Sequence, residues 1–245
     1  MEGKKCVLIL IGLLIMPVLW ASENKLYEAY IAGDMLTWKN MLDKSMMQES
    51  RTNERLLMEL NYLYGYIAYN IGKENKKEAA VYVARMEKNI AVLEKENYKM
   101  STVLSYKAAM MGYKIALNVL KAPVYGPRSK EYAEKALNLD VNNAFAYMQM
   151  AHIQYYTPAI FGGSHTEAIR TYLKAINLME KDVHTSARNW QYLNALVVLA
   201  YVYREEKKYD VAIHYLYRAL KVEPEFKWVK NELIPDYLKL LKNKK

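Results

Sequence analysis

The sequence predicts an all-α protein, a curved array of antiparallel helix pairs, on three observations. Nine glycines and six prolines in 245 residues leave few breaks. The long stretches between them are rich in Ala, Leu, Met, Glu and Lys, the strong helix formers. Apolar residues recur at three and four positions, as in Leu60, Leu63, Tyr64 and Ile67, or Leu196, Leu199, Ala200 and Tyr203, rather than alternating as in a strand. Turns are expected at Gly33-Asp34, Gly72-Lys73, Pro123 to Pro127, Phe161 to Ser164 and Glu223-Pro224.

The first element is a leader. MEGKKCVLILIGLLIMPVLWAS sets Lys4 and Lys5 ahead of an apolar run from Cys6 to Ala21, the layout of a secretory signal peptide spanning 1–21. As a helix that run rises about 24 Å, short of a hydrocarbon core of about 30 Å. Cleavage near Ala21 is therefore the expectation, with an uncleaved anchor as the alternative, and the protein is expected to be exported to a bacterial periplasm or another extracytoplasmic space. Cys6, the single cysteine, stands before the apolar run, where it cannot serve as a lipoprotein cysteine. The chain from Ser22 then has no thiol for disulfides, thiolate catalysis or metal ligation, so packing must hold it together.

A long helical chain is next searched for repeats. From Leu193 to Phe226, LNALVVLAYVYREEKKYDVAIHYLYRALKVEPEF places Leu196-x2-Leu199-Ala200-x2-Tyr203 before Ala212-x3-Leu216-x2-Ala219, with Pro224 closing the second helix. This segment resembles a tetratricopeptide repeat (TPR) in residue types and length. The small side chains fall where two helices approach closely, with Leu196, Tyr203 and Leu216 beside them. Looser versions are Tyr147-x2-Met150-Ala151-x2-Gln154 with Ala168-x3-Tyr172-x2-Ala175, Ala108-x2-Met111-Gly112 with Ser129-x3-Ala133-x2-Ala136, and Tyr64-Gly65-x2-Ala68 with Ala79-x3-Val83. Lys25 to Leu42 reads as a degenerate opening hairpin. The predicted organisation is thus a TPR-like array over 22–226, regular at 193–226, and a C-terminal capping helix over 227–245 that bends or breaks at Pro235. Two of the repeats carry a five-residue insertion between their helices, since Ala200 to Ala212 is twelve residues but Gly112 to Ser129 and Ala151 to Ala168 are each seventeen.

One of those insertions, TPAIFGGSHTEAI, invites a phosphate-loop reading and fails it. A Walker-type loop needs a different glycine spacing and a lysine. Ser164-x2-Glu167 is instead a capping box that starts a helix, with Gly162 and Gly163 supplying unusual backbone angles before it. The same loop, after a tyrosine-rich helix and a proline, is similar to one in exported bacterial TPR proteins that include the periplasmic T components associated with TRAP transporters. Those components are typically lipid-anchored, which this chain is not equipped to be.

Other chemistry is sparse. His152, His165, His184 and His214 are scattered without metal-ligand spacing, no catalytic motif is present, and no cofactor is expected. The chain is therefore read as non-catalytic. A net charge of +9 is spread along the sequence rather than gathered into a groove, which argues against a nucleic-acid partner. Membrane contact is expected only through an uncleaved leader.

The 23 tyrosines and 14 methionines point to packing and to one face in particular. On the helix from Ala144 to Tyr156, Phe145, Met148, His152 and Tyr155 share a face, with Tyr156 adjoining. The TPR resemblance implies that the first helix of each repeat lines a concave groove, and the equivalent face of the last repeat gives Asn194, Val197, Tyr201 and Arg204. These nine residues are the candidate partner-binding groove, and the sequence leaves open whether N-terminal helices cover it. The expected function is an exported scaffold that binds a protein or extended peptide there. The alternative is an accessory of a solute transport system, with a ligand channel lined by Phe145, Tyr155 and Tyr201.

Overall fold

The computed structural model describes residues 24–47, 51–181 and 186–243, so the leader expected over 1–21 and His184 lie outside the described residues. Helix α1 covers 24–32, and α2 Met35–Met46, α3 Asn53–Gly72, α4 Lys76–Lys95 and α5 Met100–Leu117 follow. Then come α6 Ala122–Leu139, α7 Ala144–Tyr156, α8 His165–Glu180, α9 Trp190–Glu205, α10 Tyr209–Val222 and α11 Ile234–Asn243. No strand occurs among the described residues. From α3 to α10 the helices pack as successive antiparallel pairs, so the protein is all-α with repeat-like packing.

The small residues do what their spacing predicts. Ala200, Ala212 and Ala219 are fully buried between α9 and α10, as are Ala151, Ala168 and Ala175 between α7 and α8. Ser129, buried at the same kind of position, donates its hydroxyl to the Ala108 carbonyl at 2.9 Å, which removes the cost of burying it. Gly65 on α3 is small because the Trp38 ring lies directly over it, where a Cβ would collide with Trp38 and press on Trp190. Gly65→Ala is expected to lower stability by about 2 kcal/mol, because the covering indole has no free space to retreat into. Urea titration of the variant checks this.

Three local expectations are corrected. The break before α6 lies at Asn118, whose side chain accepts from Leu120 N at 3.1 Å to start a 3-10 turn over Val119–Lys121. Pro123 and Pro127 both fall inside α6; Pro123 sits in the first turn, where the missing N–H is no loss. The capping box at Ser164 is half made. Ser164 Oγ accepts from Glu167 N at 3.2 Å, but the Ser164 N–H is taken by the Gln154 carbonyl at 2.8 Å and Glu167 pairs with Arg170. Pro235 does not interrupt its helix. The turn before it widens to a π-helix over Val229–Leu233, with Ile234 N bonded to the Val229 carbonyl, so the helix tolerates a residue with no N–H to give.

The array also closes on itself, which the sequence does not announce. Tyr27 of α1 donates to Glu223 at the end of α10 (3.0 Å), and Arg188 binds Asn24 and Glu28 (2.8 Å each). The Tyr30 ring lies 5.4 Å from Trp190 and 5.1 Å from Phe226. Trp38, wholly buried, stands edge-on to Trp190 at 5.1 Å and donates to the Tyr62 carbonyl. The opening hairpin α1–α2 is therefore a plug, set between the first repeat and the last.

Candidate functional site

The plug divides the concave side. Phe145 is buried edge-on to Tyr64 at 5.1 Å and against Tyr106 at 4.6 Å, and Met148 and Val197 are in the core. Asn194 accepts from Tyr30 of α1 at 3.5 Å. These four groove candidates lie in the half that is filled. His152, Tyr155, Tyr156, Tyr201 and Arg204 lie in the other half, towards the C-terminal ends of α7 and α9, which stays open. Phe145, Tyr155 and Tyr201 thus do not share one surface.

Tyr156 stands at the centre of the open half. It is 71% exposed, yet surrounding protein raises its hydroxyl above the ordinary phenol range. A side chain reached by solvent but ringed by protein is one standing inside a concavity. The hydroxyls of Tyr64, Tyr113, Tyr155, Tyr172 and Tyr201 are all its electrostatic neighbours. They come from five helices, α3, α5, α7, α8 and α9; Tyr64 and Tyr172 are buried in the core, and Tyr113, Tyr155 and Tyr201 are half-buried. Burial is the main cause that pushes Tyr64, Tyr155 and Tyr201 up to about 12 and holds Tyr113 and Tyr172 well above the ordinary phenol range. Arg204 opposes the rise at Tyr155 and Tyr201 without cancelling it. The recess is consequently lined by neutral phenols.

The floor is ordered by specific bonds. Tyr113 donates to the Tyr64 carbonyl at 2.9 Å, and buried Gln149 donates to the Tyr64 hydroxyl at 3.4 Å. Tyr172 is fully buried, and its hydroxyl has no hydrogen-bond partner among the described residues. His152 stands edge-on to Tyr172 at 5.4 Å and stacks with Tyr156 at 6.2 Å. Its Nδ1 is 2.5 Å from the Met148 carbonyl, which can only accept, so Nδ1 carries the hydrogen and Nε2 holds a lone pair. Burial lowers the His152 pKa to about 4, leaving the ring neutral at physiological pH. Arg204, exposed at the rim, is the cation of the recess and lies over the Tyr237 ring at 5.6 Å.

The lowered His152 pKa has a stability consequence with a defined sign. Below pH 6.5 the unfolded chain takes up the imidazole proton before the folded one does. The contribution is complete above pH 6.5 and is lost as pH falls towards 4, a loss of roughly 3–4 kcal/mol at full extent. Urea unfolding at pH 7 and pH 4.5, compared with His152→Leu, isolates it: the variant is expected to lose less stability over that interval.

The structure also holds a depression of about 290 Å³ between the first turns of α3 and α5, lined by Leu57, Met58, Asn61 and Tyr106 with Glu54 and Lys99 at its sides. Its mixed lining and size at the lower bound for ligand pockets make it the weaker candidate. Of the remaining histidines, His165 pairs with Glu206 at 2.7 Å and His214 lies edge-on to Tyr215, far from any ligand set. Among the described residues no three His, Cys, Asp or Glu side chains are grouped to hold a metal ion.

Sequence reasoning did not single out Tyr64, Tyr113 and Tyr172 as site residues. A signal was present: each first helix of a repeat carries tyrosine, namely Tyr64, Tyr113, Tyr155 with Tyr156, and Tyr201; α3, α5 and α7 pack in succession, and α9 packs on α8.

No protein-family model and no curated protein matches the sequence. The TPR resemblance is therefore one of helix-pair architecture. Among solved structures, the HusA haemophore from Porphyromonas gingivalis has a similar fold, with a TM-score of 0.63 and 19% identity over 78% of this chain and 93% of that chain.

Proposed function

We propose that this protein is an exported, non-catalytic binding protein whose ligand is a flat, mostly apolar molecule with carboxylate groups, of the haem class. The observation that carries the proposal is a cluster of aromatic rings at the C-terminal end of α7, where exposed Tyr156 stacks with His152 and packs on Tyr155, and His152 stands edge-on to Tyr172. Aromatic side chains offer a flat ring the faces it stacks on. Arg204 at the rim is placed for a carboxylate. His152 Nε2 has the lone pair and the second-shell carbonyl typical of an imidazole that ligates a metal. His152 is the donor proposed for the iron, since its Nε2 is unprotonated without the loss of a proton that a phenol would need.

An extended peptide would need a groove that runs through, and the α1–α2 plug blocks it; a compact ligand fits the half that remains. A transport accessory with an enclosed channel is likewise less well supported than an open recess. The fold it shares with a haemophore is consistent with haem as the class.

Titration with hemin and with iron-free protoporphyrin, followed in the Soret region, tests this. Saturable one-to-one binding of both is expected, tighter for hemin, with His152→Ala reducing hemin to the affinity of the iron-free ring. Absence of saturable binding to either would sink the proposal.

A further inference from the structure

The two inserted loops have a feature that ligand binding does not use. In an array of antiparallel pairs, the turns that join the first helix of each repeat to its second all lie on one edge; His165 of the α7–α8 loop contacts Glu206 of the α9–α10 turn, as that arrangement requires. The insertions before α6 and α8 each form a short 3-10 turn at this edge, Val119–Lys121 and Ala159–Phe161. Each turn aims large apolar side chains outward: Val119 and Leu120 are 72% and 84% exposed, and Ile160 and Phe161 are 85% and 75% exposed. Burying none of these groups, the folded chain gains nothing from keeping them apolar.

The loop geometry is fixed rather than slack. Gly162 is left-handed (φ +89°), Gly163 has no room for a Cβ beside the Thr157 carbonyl, and Ser164 caps α8. The prongs are thus held in place on a rigid base. On either side of them the same edge carries exposed lysines, interspersed with Glu74, Glu205 and Glu206. Lys73, Lys76 and Lys77 on the α3–α4 turn and Lys208 on the α9–α10 turn are exposed and belong to none of the ion pairs among the described residues. Lys121, beside Leu120, caps the Tyr125 ring from 5.8 Å, and its charge adds to the same edge.

We propose that this edge docks on an anionic lipid bilayer, with Val119, Leu120, Ile160 and Phe161 entering the interface and the flanking lysines contacting headgroups. Two separated prongs of wholly exposed apolar side chains, flanked by unpaired lysines, match the demands of a charged interface with an apolar layer beneath it. A protein partner would more often meet one continuous apolar core with a polar rim. Tyr156, at the end of α7 just before the second prong, belongs to both features, so docking would set the mouth of the tyrosine recess at the lipid interface. An apolar ligand could then pass between bilayer and protein without crossing water.

The test uses the full chain with Cys6→Ser and a polarity-sensitive dye on Ile160→Cys, and a second sample labelled at Asn142→Cys on the opposite edge. A dye at these positions reads local insertion whatever the leader does. With vesicles of equal phosphatidylglycerol and phosphatidylcholine, the Ile160 label is expected to shift to the blue and the Asn142 label to stay unchanged. Pure phosphatidylcholine should give a much smaller response. Leu120→Ser with Phe161→Ser is expected to weaken vesicle partition by about tenfold or more with the net charge preserved, and Lys73→Glu with Lys76→Glu and Lys77→Glu should weaken it on anionic vesicles only. An unchanged Ile160 label, an equal shift at both labels, or serine variants that partition like the parent would overturn the proposal, as would prongs that engage a protein and no lipid. Hemin titration of the serine variants, expected to be unchanged, separates failure of this proposal from failure of the binding function.

Discussion

Replacing Tyr155 and Tyr156 together by alanine is expected to weaken hemin binding about a thousandfold. Large aromatic anchors in a recess contribute about 2 kcal/mol each when truncated, and a factor of ten corresponds to about 1.4 kcal/mol. Tyr156 is the side chain around which the other phenols are arranged, and Tyr155 lies 4.7 Å from it, ring centre to ring centre. The fold should survive: Tyr156 is mostly exposed, and the main ring partner of Tyr155 outside α7 is His165 at 5.1 Å. Soret titration measures the affinity, and unchanged far-UV circular dichroism confirms that the helices remain. An affinity loss of less than tenfold would place the ligand elsewhere.

Arg51→Ala should be the most damaging single change to stability, at about 3–5 kcal/mol. Glu59 on α3 is wholly buried, and one of its oxygens accepts from Arg51 at 2.8 Å and from Asn89 of α4 at 2.9 Å. Arg51 also donates to the Asn89 side chain at 2.9 Å, so three residues close a polar knot between α3 and α4. The other Glu59 oxygen has no hydrogen-bond partner among the described residues, so the knot leans on its ion pair with the Arg51 guanidinium. Removing Arg51 strands a carboxylate in the core; replacing Glu59 by leucine in the same chain removes the stranded charge and is expected to restore most of the loss. Chemical unfolding of the single and double variants decides this, and an equal loss in both would show that the charge was not the cause.

Much of this fold is legible along the chain because its determinants are local. Ala200, Ala212 and Ala219 mark a helix contact by their size alone, and the structure has them buried there. Ser164 announces the start of α8 by its chemistry, and it does cap it. The closure of the array is another matter. Tyr27 and Glu223 are separated by 196 positions, and nothing near either one tells of the other. That contact and its neighbours decide which half of the concave side is filled. Helical periodicity correctly places Phe145, Met148, His152 and Tyr155 on one face, but a face is not a surface. Tyr64 and Tyr106 from other repeats cover its first turn, and its last turn is left open.

The candidate site shows the same division. His152 and Tyr156 can be named from one helix, whereas the hydroxyls of Tyr64, Tyr113 and Tyr172 join them only through the stacking of repeats. Even the two glycines of the α7–α8 loop acquire separate reasons only in three dimensions: Gly162 for its left-handed backbone, and Gly163 for the closeness of Thr157. The phosphate reading of that loop is not needed to account for either.

The most direct measurement is a crystal structure of the protein grown with hemin. The ring is expected at the C-terminal end of α7, edge-on to Tyr156, with its iron within bonding distance of His152 Nε2 and a carboxylate near Arg204. Hemin in the depression between α3 and α5, or lying on an outer surface with the tyrosine recess bare, would contradict the account.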